Sequence, residues 1–445
     1  MNKQKWIDRA KELGLDGLEI TQSENSAREV SSFAHEINSF VNSRIRSTSI
    51  RALSNGKIVA ASLEKTDDDT MEEILKSLKE TASLISESEK DELVGVMETE
   101  EVHSNKVWVE PTASQIQNFV LSLENRIENS DPRVQPGTMI DFYTGKSASE
   151  LVNSLGLDVS DASQVQMVSA YVTMEENGDR RDGSYAELVG DVETFDQDAF
   201  VKKVIDRVSS QLGASSLSSR TCPVIFNNET MTTLFSCFAS MFSGSLIAKG
   251  ISPLSDKLNE KIFSDQITVI DDPRNTDPVY LQNYDDEGHP TYAKDVVKDG
   301  VFTTILHNTR SAIKMNAKST GNGFKSGGGA TDASPMNMYI IPGKDSFEQL
   351  LEKMNNGVVI TDLAGMHAGV DFITTNFSLQ AKGYLVENGK KVRALTLITI
   401  AGNFLDMMKE VEAVGNDLDW KAHTIAAPSI LFKSAAIGGS DHGDA

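Results

Sequence analysis

The chain has 445 residues, of which 39% are hydrophobic and 24% charged, and its formal net charge at pH 7 is −23. A chain of this length is too long for one ordinary hydrophobic core, so we expect a soluble globular protein with two domains. No apolar run reaches the roughly 20 residues of a membrane span, and the negative charge opposes direct binding to nucleic acid, whose phosphates attract Lys and Arg.

The first residues and the cysteines indicate the compartment. Residues 1–8 form a charged helix start without the apolar core of a signal peptide, which favours the cytoplasm. Cys222 and Cys237 are too few for a disulfide framework and form no CxxC pattern. We expect both side chains to be reduced, buried thiols.

In the N-terminal half the same order of elements, strands followed by a helix, occurs twice. Hydrophobic periodicity and turn residues such as Asn55-Gly56 define these elements. They are a helix at 3–13, strands at 31–41, 44–53 and 57–63, helices at 71–85 and 113–127, strands at 139–143, 147–152, 165–174 and 184–190, and a helix at 195–212. The small polar residues 213–219 then predict a linker. This order indicates an internal duplication within residues 1–218.

The C-terminal half, residues 219–445, has the pattern of a β-rich domain with short helices. Its predicted elements are strands at 222–226, 267–271, 300–307, 377–386, 392–400 and 429–435, and helices at 229–242 and 404–411. Asn388-Gly389 predicts a tight hairpin turn, and residues 415–417 predict the end of the second helix. The whole chain is therefore predicted to be α+β, with a barrel-like antiparallel domain at the C-terminal end.

Residues 319–333 contain five glycines. They match neither the Walker pattern nor a GxGxxG turn between a strand and a helix, so a phosphate cradle is not indicated. A flexible connecting loop is the favoured interpretation. The alternative is a loop at the mouth of a substrate chamber, since loops often carry function.

Metal-binding and nucleophilic chemistry find little support in the sequence. The seven histidines are His35, His103, His289, His307, His367, His423 and His442, and no two of them have the spacing of a ligand pair. His35-Glu36 lies in a predicted strand, His367 between two glycines fits a polar loop better than a ligand, and the same holds for His423. Cys237 has no basic partner nearby, and no GxSxG elbow supports a serine nucleophile.

Four short pieces of the C-terminal half resemble the signature of the TldD/PmbA family, formerly called modulators of DNA gyrase. The pieces are Gly383-Tyr384-Leu385-Val386-Glu387-Asn388-Gly389, Ile398-Thr399-Ile400-Ala401-Gly402-Asn403-Phe404, Val414-Gly415-Asn416-Asp417 and Pro428-Ser429-Ile430-Leu431. Their spacing resembles the PmbA (TldE) branch. The resemblance extends over most of residues 220–439 and more weakly into the N-terminal half.

The resemblance implies a catalytic role for a partner and not for this chain. In the TldD branch, the helix after the first C-terminal strand carries HExxxH and a cysteine near the C-terminus completes the zinc site. The corresponding helix here, residues 229–240, has no histidine, and residues 419–427 have no cysteine. We therefore expect no catalytic residue, metal or cofactor in this chain, and zinc in a TldD-like partner subunit.

In the family, two subunits enclose a chamber into which an unfolded peptide threads and is held as an added strand. A homodimer is also expected from the resemblance, without direct contact to nucleic acid or membrane. The residues predicted to line the chamber are Gly321, Asn322, Gly323, Gly365, His367, Asp371, Asn376 and Ser378. Asn376 departs from the acidic residue that close relatives tend to carry there. Two alternatives stay open: a homodimeric peptide-binding or regulatory protein, and a peptidase with an unrecognised site.

Overall fold

The computed structural model describes residues 1–63, 68–85, 90–325 and 330–440. The N-terminal half is built on one six-stranded antiparallel sheet. Its elements are α1 Lys3–Glu12, β1 Gly17–Phe33, β2 Glu36–Ser54, β3 Lys57–Leu63, α2 Met71–Leu84, α3 Ala113–Ser130, β4 Met139–Asn153, β5 Asp158–Glu176, β6 Asp179–Leu188 and α4 Gln197–Ser209.

The predicted duplication is present in the order of these elements. A helix, three strands and a second helix occur twice, and the two copies join where β1 pairs with β4. The strand order is β3-β2-β1-β4-β5-β6, so β3 and β6 are the two edge strands. One face of the sheet packs against the helices in two hydrophobic clusters, one around Trp6 and one around Phe119 and Phe200. The opposite face carries Glu19 and Arg51, and Arg51 lies 3.5 Å from Glu287 of the C-terminal half.

Two predictions for the N-terminal strands are wrong. The chain turns at Ala34 and His35, which both have positive φ, so the predicted strand at 31–41 is the end of β1, a turn and the start of β2. The predicted strands at 139–143 and 147–152 are one strand, β4, because β1 and β5 pair with it along its whole length. In the second case, long-range pairing with β1 overrides the local polar sequence.

The C-terminal half contains more strands than the sequence indicates. Its elements are β7 Arg220–Phe226, α5 Asn228–Phe238 with a following 3-10 turn Ala239–Phe242, α6 Gly244–Ile247, β8 Val269–Asp271, β9 Lys294–Lys298, β10 Val301–Phe302, α7 Thr309–Lys314, β11 Gly323–Lys325, β12 Thr331–Ala333, β13 Met338–Ile340, α8 Phe347–Met354, β14 Gly357–Ala364, α9 Met366–Gly369, β15 Val370–Asp371, β16 Asn376–Glu387, β17 Lys390–Asn403, α10 Phe404–Lys409, β18 Val411–Val414, β19 Ile425–Ala426 and β20 Ile430–Gly438.

Five of these strands close into a barrel in the order β14-β7-β20-β17-β16, since β16 also pairs with β14. Four of the five neighbouring pairs are antiparallel and the β7–β14 pair is parallel. At one end of the β7–β20 pair, the Ser219 hydroxyl donates to the Gly439 carbonyl oxygen at 3.0 Å and accepts from the Gly439 N–H at 3.1 Å. The α+β class and the barrel-like C-terminal half are confirmed.

Three details of the C-terminal prediction need correction. The predicted strand at 300–307 is only the two residues of β10, and the β17 strand continues beyond its predicted end at residue 400 to Asn403. The helix predicted at 404–411 ends at Lys409, and Val411 begins β18. Residues 415–417 therefore follow a strand and do not end a helix. The division into domains at residues 218 and 219 stays a prediction.

Over the described residues, no helix combines the length and apolar character that crossing a membrane requires.

Candidate functional site

The helix α5 and residues 419–427, the two pieces expected to carry the zinc ligands of a TldD-like chain, lie side by side. Asn227 caps the helix by accepting from the Thr230 N–H at 3.0 Å. The Asn228 side chain donates to the Asp417 carbonyl oxygen at 2.8 Å, and the Ala427 N–H donates to the Thr232 hydroxyl at 2.9 Å. Protein hydrogen bonds therefore hold these two pieces of the chain together.

A cavity of about 400 Å³ lies between these pieces and the end of the N-terminal sheet. Its walls come from α5, from residues 419–423 and from strands β5 and β6. The lining includes Ala186, Leu188, Thr232, Thr233, Ala422 and His423. The site of interest is thus a pocket between the two halves of the chain.

One carboxylate, that of Glu229, faces this cavity from α5. It accepts from the Arg207 guanidinium at 2.6 Å and from the Lys421 ammonium. Burial alone disfavours the ionised form, but the two cations outweigh it and lower the pKa of Glu229 below its ordinary value. Lys421 also lies over the Tyr185 ring, 5.0 Å from its centroid. Glu229 is therefore an ionised bridge between two cations.

The donor set at this position does not fit zinc. The helix offers threonines and an ion-paired glutamate, and His423 is an exposed residue at the cavity wall. Cys237 is half-buried, its thiol donates to the Thr233 carbonyl oxygen at 3.3 Å, and burial raises its pKa, so it stays protonated. Across the described part of the chain, which excludes His442, no three His, Cys, Asp or Glu side chains are grouped to hold a metal.

The cavity is part of a longer groove. A second cavity of about 430 Å³ shares the lining residues Ser184 and Arg207 with the first. A third, of about 360 Å³, shares Asp362 and Lys382 with the second and reaches Leu397, whose side chain is 83% exposed. The adjoining cavities follow the edge of β6 and continue onto the outside of the barrel.

The predicted chamber residues Gly321, Asn322 and Gly323 are buried in a polar network away from these lining residues. The Asn322 amide donates to Asp271 at 2.8 Å, and the Gly323 N–H donates to Asp285 at 2.8 Å. These contacts fix one side of the glycine-rich loop. Residues 326–329 of that loop lie outside the described residues.

The other predicted chamber residues lie around the start of β16. Gly365 and His367 belong to the one-turn helix α9 and its cap, and Asp371 accepts from the N–H groups of Ile373 and Thr374. Asn376 accepts from the Asn403 amide at 3.0 Å. Ser378 is exposed on the same strand. None of the eight predicted residues lines the three adjoining cavities, and their role in a peptide chamber stays a prediction.

The structure also reveals a buried ionic cluster that the sequence analysis missed. Arg51 on β2 donates to Glu19 at 2.9 Å and lies 3.5 Å from the Glu287 carboxylate, and all three side chains are at most 3% exposed. Glu287 in turn accepts from the N–H and hydroxyl groups of Thr309 at 2.8 and 2.5 Å. The sequence signal for this cluster is Arg51 itself, an arginine between the apolar residues Ile50 and Ala52.

Comparison with known proteins identifies the family. Residues 219–439 match the family profile described as the PmbA/TldA metallopeptidase C-terminal domain, and residues 106–212 match the corresponding central domain. Metalloprotease PmbA of Escherichia coli O157:H7 is 32% identical over 331 residues, which cover 74% of this chain and 69% of the relative. This chain belongs to the PmbA branch of the PmbA/TldD family.

Solved structures of similar proteins have the same fold. A protein described as a modulator of DNA gyrase from Thermotoga maritima aligns with a TM-score of 0.85 and 28% identity, covering 98% of this chain and 99% of that one. TldE from Thermococcus kodakarensis aligns with a TM-score of 0.88, covering 98% and 100% of the two chains, and at 21% identity it shows the common fold.

Proposed function

We propose that this PmbA-branch chain is the non-catalytic subunit of a TldD/TldE-type zinc metalloprotease complex that encloses unfolded peptides and processes them. The catalytic metal belongs to a TldD-like partner subunit. This chain contributes a wall of the chamber and backbone groups that hold the peptide in an extended conformation.

The observation that carries the proposal is the chemistry of the α5 pocket. The helix and the 419–427 segment, where the resemblance places the zinc ligands of a TldD-like chain, lie side by side, yet Glu229 is neutralised by Arg207 and Lys421. A glutamate held by two cations is a poor general base, because activating water requires a free lone pair and a pKa near the working pH. The pocket supports binding better than hydrolysis.

The groove beside the pocket supports a peptide as the bound molecule. It runs along the edge strand β6, and it is lined by a mixture of apolar and polar groups. Backbone pairing to a strand edge gives affinity that depends little on peptide sequence. A chain that serves unfolded substrates of many sequences needs this kind of surface.

The test is to purify this chain alone and together with an HExxxH-containing homologue from the same source. We expect the isolated chain to lack stoichiometric zinc and to leave an unfolded peptide intact, while the two chains copurify and the mixture cleaves the peptide. A partner whose HExxxH glutamate is replaced by glutamine is the control for the origin of cleavage.

Other outcomes would assign a different function. Stoichiometric zinc with peptide cleavage by the isolated chain would show an intrinsic peptidase. Self-association, with no complex formed with the TldD-like chain, would favour a homodimeric peptide-binding or regulatory protein.

A further inference from the structure

Strands β11 and β12 form a two-stranded hairpin outside the three larger sheets. Within the described residues they pair only with each other, over three residues each. A hairpin this short is not stable alone in water, because it has too little apolar surface to bury. Its conformation therefore depends on its contacts with the rest of the protein.

The first strand of the hairpin is bonded to one turn, residues 285–289, which we call the acidic turn. The Gly323 N–H donates to the Asp285 side chain at 2.8 Å, and the Lys325 N–H donates to the Asp286 side chain at 2.7 Å. The Asp286 N–H donates in return to the Gly323 carbonyl oxygen at 2.9 Å. These three bonds fix β11 against the acidic turn.

The Glu287 side chain joins the second strand of the hairpin to the N-terminal sheet. Its Oε1 atom accepts from the Thr331 hydroxyl of β12 and lies 3.5 Å from Nη2 of Arg51 on β2. A Cβ added at Gly323 would lie 2.6 Å from Glu287 Cδ, so the hairpin packs directly on this carboxyl group. One oxygen is therefore shared between a hydroxyl of the C-terminal half and a cation of the N-terminal half.

The charge of Glu287 makes these contacts depend on each other. The side chain is fully buried, and burial opposes ionisation, but Arg51 and two threonine hydroxyls outweigh this and hold the pKa of Glu287 below its ordinary value. A buried carboxylate that loses its cation is driven to take up a proton. A protonated Glu287 no longer accepts charge-assisted hydrogen bonds at both oxygens, which weakens its bond to Thr331.

The acidic turn also packs against the N-terminal half at Gly288. This residue has a φ of +92°, and a Cβ there would lie 2.2 Å from Cδ2 of Leu157, in the connection between β4 and β5. The turn thus lies between the N-terminal half on one side and the hairpin on the other.

We propose that the acidic turn couples the hairpin to the N-terminal sheet, so that the hairpin keeps its conformation only while Arg51 pairs with Glu287. The two described ends of the glycine-rich segment thereby respond to a movement of the N-terminal half. The coupling goes beyond the proposed function and requires neither a partner subunit nor a bound peptide.

Hydrogen–deuterium exchange of the intact chain, measured by mass spectrometry, tests this coupling. In Arg51→Met we expect the amides of residues 323–325 and 331–333 to exchange at least about tenfold faster than in the unchanged protein, because their bonds open locally. Arg44→Met is the control on the same strand, since the Arg44 side chain is 63% exposed, and it should leave these rates unchanged. A folded Arg51→Met protein with unchanged hairpin exchange would overturn the proposal.

Two further variants separate the coupling from a general loss of stability. Gly383→Ala strains the distant barrel, where a Cβ would lie 1.8 Å from the Val359 carbonyl oxygen, and it should not accelerate local opening of the hairpin. Leu157→Ala loosens the packing against Gly288 without removing a charge, and it should accelerate hairpin exchange even if Arg51→Met does not fold. Equal acceleration by Gly383→Ala, or none by Leu157→Ala, would refute the coupling.

A double-mutant cycle tests the shared oxygen of Glu287. Thr331→Val removes the hydroxyl and keeps the shape of the side chain. In urea denaturation, Thr331→Val should change the unfolding equilibrium constant at least about fivefold less in the Arg51→Met protein than in the unchanged one, since the two residues act through one group. Thr233→Val on α5, remote from this cluster, is the control and should have the same effect in both. Independent effects of Arg51→Met and Thr331→Val would contradict the proposal.

Discussion

Arg51 is 3% exposed on a strand of the N-terminal sheet, and its charge is balanced by carboxylates from both halves of the chain. Removing one partner of a buried ion pair is costly because the other charge is left without compensation. We expect Arg51→Met to reduce the free energy of unfolding by about 3 kcal/mol or more, measured by urea denaturation.

The matched control for this variant is Arg44→Met on the same strand. Arg44 pairs with Glu24 but its side chain is 63% exposed, so the expected loss is at most about 1 kcal/mol. Equal losses for the two variants would show that burial of Arg51 does not determine its contribution.

Glu229 provides a pH-dependent contribution to stability. Although burial opposes ionisation, Arg207 and Lys421 hold its folded pKa below the ordinary 4.5. A depressed carboxylate pKa stabilises the fold above the unfolded pKa, and this contribution is lost as the pH falls through the folded value. Glu229→Gln should therefore cost about 1 kcal/mol at pH 7 and less at pH 4, measured by urea denaturation at both pH values.

Asp198→Asn is the control for the pH experiment, because the Arg126–Asp198 pair is exposed and should contribute little at either pH. A cost for Glu229→Gln that stays constant between pH 7 and pH 4 would contradict the assigned role of ionised Glu229.

At the level of residues, the sequence could show what the pocket lacks but not what it contains. The absence of histidine from residues 229–240 and of cysteine from residues 419–427 is visible in the sequence. The ion bridge is not, because Arg207 and Lys421 are 22 and 192 residues from Glu229. Such contacts follow from the packing of α4, α5 and the barrel, which no local pattern encodes.

Closure of the barrel depends on one glycine at the β14–β16 seam. A Cβ added at Gly383 would lie 1.8 Å from the Val359 carbonyl oxygen, which no relaxation of a flexible side chain can relieve. Gly383→Ala should therefore destabilise the protein by about 3 kcal/mol and lower its thermal midpoint, measured by circular dichroism. Gly95→Ala, where a Cβ meets nothing within 4 Å, should leave the midpoint almost unchanged.

Elements with a strong amphipathic pattern were predictable, and long polar strands were not. Helix α3 begins at the predicted residue and ends three residues beyond the predicted end, because its apolar face is regular. Strand β1 was mostly missed, since residues 22–29 are polar or small and none of them is buried. Its conformation is determined by pairing with β2 and β4 on both sides, which is long-range information.

The net charge of −23 belongs to the whole molecule and predicts its behaviour towards nucleic acid. Because binding to duplex DNA depends on Lys and Arg that displace counterions, we expect no gel shift at about 10 µM protein in roughly 150 mM salt, where basic proteins bind non-specifically. A salt-sensitive shift under these conditions would reveal a basic surface that the overall charge conceals.

The sequence predicted more of the N-terminal half than of the C-terminal half. The repeated order of strands and helix was visible in the N-terminal half because each copy is contiguous in the chain. The barrel was expected only in outline, since its strands come from residues 220–438 and include a parallel pair between β7 and β14. The sequence did not show these strand pairs, because they join residues that are neighbours in space but distant in the chain.

The hydrogen bonds between Ser219 and Gly439 bring the two ends of the barrel segment together. If the segment from Ser219 to Gly439 were made without residues 1–218, a short tether joining its two ends would let it be cut open instead at the Asn388-Gly389 hairpin, without changing which strands are neighbours. We expect a circularly permuted segment of this kind to retain every pairing in the barrel. The barrel is therefore defined by which strands lie next to each other and not by the order in which the chain supplies them.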